Sequence, residues 1–551
     1  MASVKFNKKL FEKEIGKLDE SLQEKIAMFG TPVESVKDGE IELEIFPNRP
    51  DLLSYQGFKR AFLAFLGKKT GLKEYKINKP EKDYQVVIDK GVEKIRPFTA
   101  CAIVKNLSFD NEKIKEIIEM QEKLHATIGR KRKKVAIGIY PLEKIKLPIT
   151  YKALEPDKIK FIPLESEKEM SGLEILQKHP AGRDYAHLLA GKEKFPIFID
   201  SDSNILSMPP IINSQLTGKI TEQTKEVFIE CSGFDFETLK KCLNILATSL
   251  AEMGGQIYQI ELKYKNKEIT PDLKSEKMKL NINNVNKLLG LELKEQQVKK
   301  LLEKMGYEYD QSKKEVSIPA WRVDILHEVD LIEDIAIAYG YDNFIPEIPS
   351  ISTIGQQDQK EVLKNKLSEI LAGLNLLGVS NYHLTNKNDQ LNKMGLNEKQ
   401  EPVTEVEKSK TEFNILRQNL SHYLLKNLSE NVDAEYPQNI FEIGKVFNNA
   451  EGGKIKEQEK LAIAITPGNF TQLKQILDYT SKMLGIEVTL QEPEQFSQWF
   501  IEGRVAEVAL NNKPAGFIGE IHPKILKNWR IKMPVTLLEI DLEGVFEELN
   551  K

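Results

Sequence analysis

The stretch WRVDILHEVDLIEDIAIAYGY, residues 321–341, sets an apolar row and a row of acids on opposite sides of one short helix. From Glu328 onward, Leu331, Ile332, Ile335, Ala338 and Tyr339 recur at helical spacing, while Asp330, Glu333 and Asp334 fall together at i, i+3 and i+4. Gly340 ends the helix. Asp324 lies in the turn entering it, so the spacing brings four carboxylates, Asp324, Asp330, Glu333 and Asp334, toward one small volume. Four hard oxygen ligands with no cysteine or paired histidine nearby suit magnesium, which is often held by one or two carboxylates with water and another molecule completing its shell. The same acids also complement a helix dipole, and a polar helix face is ordinarily just solvated. Spacing alone leaves both readings standing.

The longer phrase PAWRVDILHEVDLIEDIAIAYGYDNF, residues 319–344, resembles the signature of the large, beta subunit of phenylalanine-tRNA ligase, with every family position in place. The resemblance implies that Asp324, Asp330, Glu333 and Asp334 bind a magnesium ion shared with an alpha subunit.

Composition sets bounds around this motif. At 551 residues the chain is long enough for three or more domains, since one core rarely grows past about 250–300 residues. A formal net charge of -4 with 29% charged residues excludes an overall basic bias, so any RNA contact comes from local patches or a partner. Cys101, Cys231 and Cys242 are odd in number and form no CxxC pair, which argues against a disulfide framework or zinc ribbon and for buried thiols in a reducing compartment. No apolar run approaches the ~20 residues of a membrane span, and the amino terminus is charged where a signal peptide has its apolar core. A cytoplasmic protein without membrane contact is expected.

Punctuation by proline, glycine and charge divides the chain into a small N-terminal module (1–75), a mixed α/β domain (76–270), a winged-helix-like domain carrying the acidic helix (271–346) and an antiparallel sheet domain (356–551). The multidomain α+β class follows. In the first module, residues 6–36 read as helix and loop before a strand at 40–45. Next, FPNRPDLLS, residues 46–54, makes a proline turn from which Asp51 or Ser54 caps a helix bearing Phe58, Phe62 and Phe65. Residues 73–85 are polar enough to serve as a linker. The second domain alternates strands at 98–104 and 134–139 with a helix at 111–127. Within it, residues 208–210 are held extended by two prolines. Asn213, Ser214, Gln215 and Thr217 then offer neutral donors and acceptors in a row, as either an aminoacyl ester pocket or a plain polar loop would.

HPAGRDYAHLL at 179–189 and MPPIINS at 208–214 are similar to the editing module of archaeal and eukaryotic beta subunits, which hydrolyses tyrosine wrongly attached to tRNA. That resemblance makes Arg132, from the basic run 130–134, together with Asn213 and Ser214, the pocket candidates. Tyr140 and Pro141 stand where the family commonly has histidine and aspartate.

The last domain shows helices at 361–377 and 416–431 among strands at 439–447, 461–465, 504–510, 514–519 and 535–542, and resembles a class II synthetase sheet domain. It lacks both the FRxE phrase and the glycine-rich motif ending in arginine, so it supplies no planar cation to hold phosphate. His522 has no nucleophile or base beside it and reads as structural. Taken together, the resemblances imply a non-catalytic beta subunit of an alpha2beta2 phenylalanine-tRNA ligase. ATP and phenylalanine bind through the alpha subunit, and tRNA(Phe) is the shared substrate. A stand-alone RNA-binding scaffold and an autonomous magnesium-dependent hydrolase are the rival readings.

Overall fold

In the computed structural model, which describes residues 2–398, 401–510 and 513–549, the strand Val227–Gly233 is buried at every position because it is paired along both edges. Ile229 lies opposite Ala102 of Phe98–Lys105 on one side and opposite Ile139 of Val135–Pro141 on the other. They belong to a five-stranded sheet with Val135–Pro141 at its edge. Helices Asn111–Ala126 and Phe236–Glu252 cover one face, burying Ile117, Met120 and Leu124 from the first and Leu239, Leu243 and Leu246 from the second. On the other face, Ile103, Tyr140 and Phe228 pack against Tyr151, Phe198 and Leu262 of a seven-stranded sheet.

The chain divides into two compact units, Met1–Ile348 and Pro349–Lys551. The first contains the three modules that composition separates at residues 75 and 270. They share one apolar core, in which Phe58, Ile117, Leu246, Leu302, Tyr307 and Trp321 belong to a single cluster. Residues 6–36 hold the expected helices, Lys8–Glu14 and Glu20–Met28, and also a strand, Val33–Lys37; ahead of them Ala2–Asn7 is a strand, paired with Glu40–Ile45 so that Val4 and Phe6 lie opposite Leu43 and Ile41. In the proline turn, Ser54 makes the cap by accepting from Gly57 N, while Asp51 is taken by Arg49. Residues 73–85 are no free linker. Tyr75 stands edge-on to Trp321 at 5.3 Å, accepts from Arg60 at 2.9 Å and donates to Glu252. Ile77–Asn78 then adds a strand beside Gln256–Tyr258. A polar composition conceals these contacts because most depend on partners more than 170 residues away, in Glu252, Gln256–Tyr258 and Trp321.

The third module is a three-stranded sheet (Glu276–Lys279, Glu315–Ile318, Glu308–Asp310) with helices Ile282–Leu289, Glu295–Lys304 and Glu328–Tyr339. Gly340, at φ +95°, ends the last helix as expected, its N–H bonding Ala336 O.

The second unit is a seven-stranded sheet, antiparallel except where Leu377–Gly378 runs parallel to Gln438–Asn449. Helices Gln359–Gly373 and Phe470–Leu484 pack on one face, and Ser421–Glu430 with Pro523–Asn528 on the other. Helix Phe470–Leu484 has no counterpart among the elements predicted from sequence. Its buried side includes Thr480 and Ser481 beside Leu473 and Leu477, which dilutes the apolar period; both hydroxyls instead bond carbonyls one turn back.

Candidate functional site

A sheet edge leaves backbone groups unpaired, and at Val135–Pro141 side chains take them up. Ile137 N donates to His125 Nε2 at 2.8 Å, and Ile137 O accepts from Gln121 Nε2 at 2.9 Å. Between this edge, helix Asn111–Ala126 and the segments at 164–185 and 207–220 opens a cavity of 960 Å³, large enough for a drug-sized ligand.

Two of the three candidate pocket residues line it. Arg132 donates to Ile211 O at 2.8 Å and to Glu122 at 3.0 Å, and its guanidinium lies 4.5 Å from the Tyr185 ring centroid. Asn213 accepts from the Tyr140 hydroxyl at 3.4 Å. Ser214 is absent from the lining: it is buried in its own turn, where its hydroxyl accepts from Leu216 N. The alternation of an extended chain explains this, since neighbours on a strand face opposite sides.

Glu230 was not among the sequence candidates. It is a single acid in the otherwise neutral, fully buried strand VFIECSG, and that oddity was its one sequence signal. Its carboxyl lines the cavity, Oε1 accepting from Tyr140 at 3.2 Å. Burial pushes its pKa up to about 8 against the pull of Arg96 and Tyr140, so it is largely a neutral acid at pH 7. Glu230 Oε2, Ser207 Oγ and Arg132 Nε are buried without a hydrogen-bond partner, and all three residues line this one cavity. Such orphans are rare enough in folded proteins to demand a reason. Both lining histidines are committed. His125 accepts from Ile137 N, so its other nitrogen donates to Glu122, and burial lowers its pKa. His179 caps a helix through Ala181 N and faces Leu164 O.

Beside this lining, Arg130, Lys131 and Arg132 all have positive φ (46°, 54° and 63°), a left-handed turn that non-glycine residues rarely adopt in succession. It turns Arg132 inward and leaves Arg130, Lys131, Lys133 and Lys134 exposed.

The acidic helix behaves differently from the expectation of one converging set. Arg322 grips Asp324 with Nε at 2.8 Å and Nη2 at 2.7 Å, and Nη2 also reaches Asp334 at 2.8 Å. Tyr307 donates to the same Asp334 oxygen. Asp330 turns back to accept from Leu326 N and His327 N through Oδ2, capping its own helix. Glu333 is exposed, with no hydrogen bond or ion pair to any described residue. Among the described residues no three His, Cys, Asp or Glu are grouped to hold a metal. Asp324 and Asp334 do not fit a magnesium ion, because a buried guanidinium already takes their charge. Asp330 Oδ1 and Glu333 do fit the sparse carboxylate shell magnesium accepts. Arg49 and Asp51 repeat the clamp, with two bonds of 2.9 Å at the same i, i+2 spacing.

In the second unit, a 350 Å³ cavity on the sheet is lined by Ser421, Lys460 and Glu539. Glu539 pairs with Lys460 at 2.9 Å and accepts from Leu420 N and Ser421 N at the start of helix Ser421–Glu430. Among the described residues no arginine lines it. Arg417 is buried elsewhere against Glu442 at 2.6 Å. His522 caps helix Pro523–Asn528 through Lys524 N, a structural task.

Comparison with known proteins places the chain among the subunits of aminoacyl-tRNA synthetases. Residues 278–341 match the family described as the tRNA synthetase B5 domain, and residues 345–542 the phenylalanyl tRNA synthetase beta chain CLM domain. A Thermococcus sibiricus phenylalanine–tRNA ligase beta subunit is 42% identical over 508 residues, 91% of this chain and 90% of the relative. Its Archaeoglobus fulgidus counterpart is 38% identical over 545 residues, 97% of each. The crystal structure of an N-terminal fragment of the Pyrococcus horikoshii phenylalanyl-tRNA synthetase beta subunit is similar at a TM-score of 0.59 and 39% identity, covering 61% of this chain and 99% of the fragment. The chain belongs to the family of phenylalanine–tRNA ligase beta subunits, of archaeal type.

Proposed function

We propose that this chain assembles in the cytoplasm with an alpha subunit as an alpha2beta2 ligase, and that its 960 Å³ cavity clears tyrosine wrongly esterified to tRNA(Phe). Phenylalanine and ATP then belong to the alpha subunit; the cavity of the second unit, lined among the described residues by one lysine, already paired, and no arginine, supports that division. The observation that carries the editing reading is the trio of unpartnered buried atoms, Arg132 Nε, Ser207 Oγ and Glu230 Oε2. A site built to bond a substrate hydroxyl rejects the analogue lacking it, because its own groups then stay unsatisfied. Glu230, held protonated, offers a donor and an acceptor to the phenol of tyrosine and nothing to phenylalanine.

The reaction is ester hydrolysis: water adds to the aminoacyl carbonyl, the ester C–O bond breaks, and the terminal ribose oxygen leaves with a proton. Both lining histidines are committed, and the lining acids without a side-chain hydrogen bond, Glu165 and Asp184, are exposed. The chain's part is to position water and ester, with a ribose hydroxyl of the substrate relaying the proton. The basic turn at 130–134 supplies phosphate contacts near the acceptor end. The test is deacylation of tyrosyl-tRNA(Phe) by the assembled complex. Asn213→Ala and Glu230→Ala should each slow it by about 10- to 100-fold, the worth of about 1–3 kcal/mol for one unsatisfied buried partner. Parent-like clearance by both variants would falsify the assignment.

Magnesium enters this proposal through Asp330 and Glu333 alone, with water and groups of the alpha subunit completing the shell. Bound there, it would link Asp330 and Glu333 to oxygen groups of the alpha subunit.

A further inference from the structure

From residue 323 to 359 there is no lysine or arginine, in a chain where 79 of 551 residues are basic. The same stretch holds eight acids, Asp324, Glu328, Asp330, Glu333, Asp334, Asp342, Glu347 and Asp358. After the acidic helix it continues as FIPEIPSISTIGQQD, residues 344–358, which forms neither helix nor strand. Ile345, Ile348, Ile351 and Ile354 recur at every third position and are 86, 95, 65 and 97% exposed. Pro346 and Pro349 restrict the backbone and remove donors, and Ile351 N donates back to Pro349 O at 2.9 Å, a tight turn within the run.

A connector that only spans a gap is polar, because nothing is gained from leaving branched aliphatic groups in water. Four exposed isoleucines within ten residues form an unusually apolar surface for a connector. We propose that residues 345–354 are a docking strap, whose isoleucines seat in an apolar groove of the alpha subunit rimmed by lysine or arginine that face Asp342 and Glu347. The occupant follows from charge. A second copy of this stretch would bring the exposed Glu333, Asp342, Glu347 and Asp358 against the same acids, whereas a basic rim is complementary to them. The proposal rests on the assembly reading above and specifies one of its contacts.

The test uses the full-length chain co-expressed with its alpha subunit. Ile348→Ser, Ile351→Ser and Ile354→Ser are combined in one variant, and since the three side chains lie in solvent its melting temperature alone in solution should match the parent's. Its affinity for the alpha subunit should fall by at least about 100-fold, as expected when apolar anchors leave an interface. Glu347→Lys should weaken association and flatten its dependence on salt. A photo-crosslinker at position 348 should join the alpha subunit. Undiminished affinity of the triple variant beside a parent that assembles overturns the strap alone, as does a crosslink confined to this chain or to a second copy of it. A parent that fails to bind the alpha subunit overturns the assembly reading and the strap with it.

Discussion

Glu230 is a carboxylic acid where the pocket needs one, because burial raises its pKa from the ordinary 4.5 to about 8. The folded chain therefore holds a proton that the unfolded chain releases. Stability is lost as pH rises from about 4.5 to about 8, with no further loss above. Thermal unfolding at pH 5 and pH 8 should show a larger drop in Tm for the parent than for Glu230→Gln, whose amide does not titrate. The same variant should flatten the fall in tyrosyl-tRNA clearance that the parent shows as pH rises through about 8, once uncatalysed hydrolysis is subtracted. A parent-like pH limb in the variant would assign the titration to another group. Arg322 presents the opposite residue-scale case, a buried cation answered by two acids. Asp334→Asn removes part of that answer and should cost about 3 kcal/mol in denaturant unfolding, with or without magnesium. The acids of this helix were legible as a periodic row, but Arg322, quoted in the motif, was not legible as their counter-ion. The bond depends on where Asp324 and Asp334 point, and spacing along a helix does not state that.

At the scale of elements, the edge strand Val135–Pro141 and the left-handed turn before it make the pocket. Gly138 is required there: a Cβ would come 2.7 Å from Glu230 Oε1 and would meet the Tyr140 hydroxyl as well. Gly138→Ala should therefore abolish most tyrosyl-tRNA clearance while the far-ultraviolet dichroism stays unchanged; clearance at parental rates would show that Tyr140 is free to move. The turn presents cations to phosphate, so removing Arg130, Lys131 and Lys133 together should weaken tRNA binding. It should also reduce the slope of log affinity against log salt by about 0.7 for each phosphate that is no longer neutralised. An unchanged slope would make this a solvated turn. Strand and helix periods located the edge strand and helix Asn111–Ala126 within a residue or two. The positive φ values left no trace in the sequence, since arginine and lysine favour no such turn and only the surrounding packing holds them there.

Across the whole molecule, the prediction is that subunit association depends on magnesium through Glu333 and not through Asp324. In equilibrium sedimentation of the co-expressed complex, Glu333→Gln should weaken assembly and lessen its response to magnesium. Asp324→Asn should lower the Tm of the chain itself and leave the magnesium response intact. Identical magnesium titrations for parent and Glu333→Gln would return the helix to a solvated, dipole-complementing face.

The sequence by itself determined the family, the α+β class and strands such as Glu40–Ile45, Phe98–Lys105 and Val135–Pro141, because these follow from residue period, turn chemistry and a long acidic motif that survive without knowing what touches what. Only the tertiary structure decided the joins and the site. It merged residues 1–348 around one core, since Phe58, Leu246 and Trp321 each need surfaces supplied by the others. It turned Ser214 away, brought Glu230 and Tyr140 under Asn213, and divided the four acids between a buried arginine, a helix cap and solvent. Such assignments rest on side-chain direction and on contacts between residues 70 to 200 positions apart, and a one-dimensional pattern carries neither.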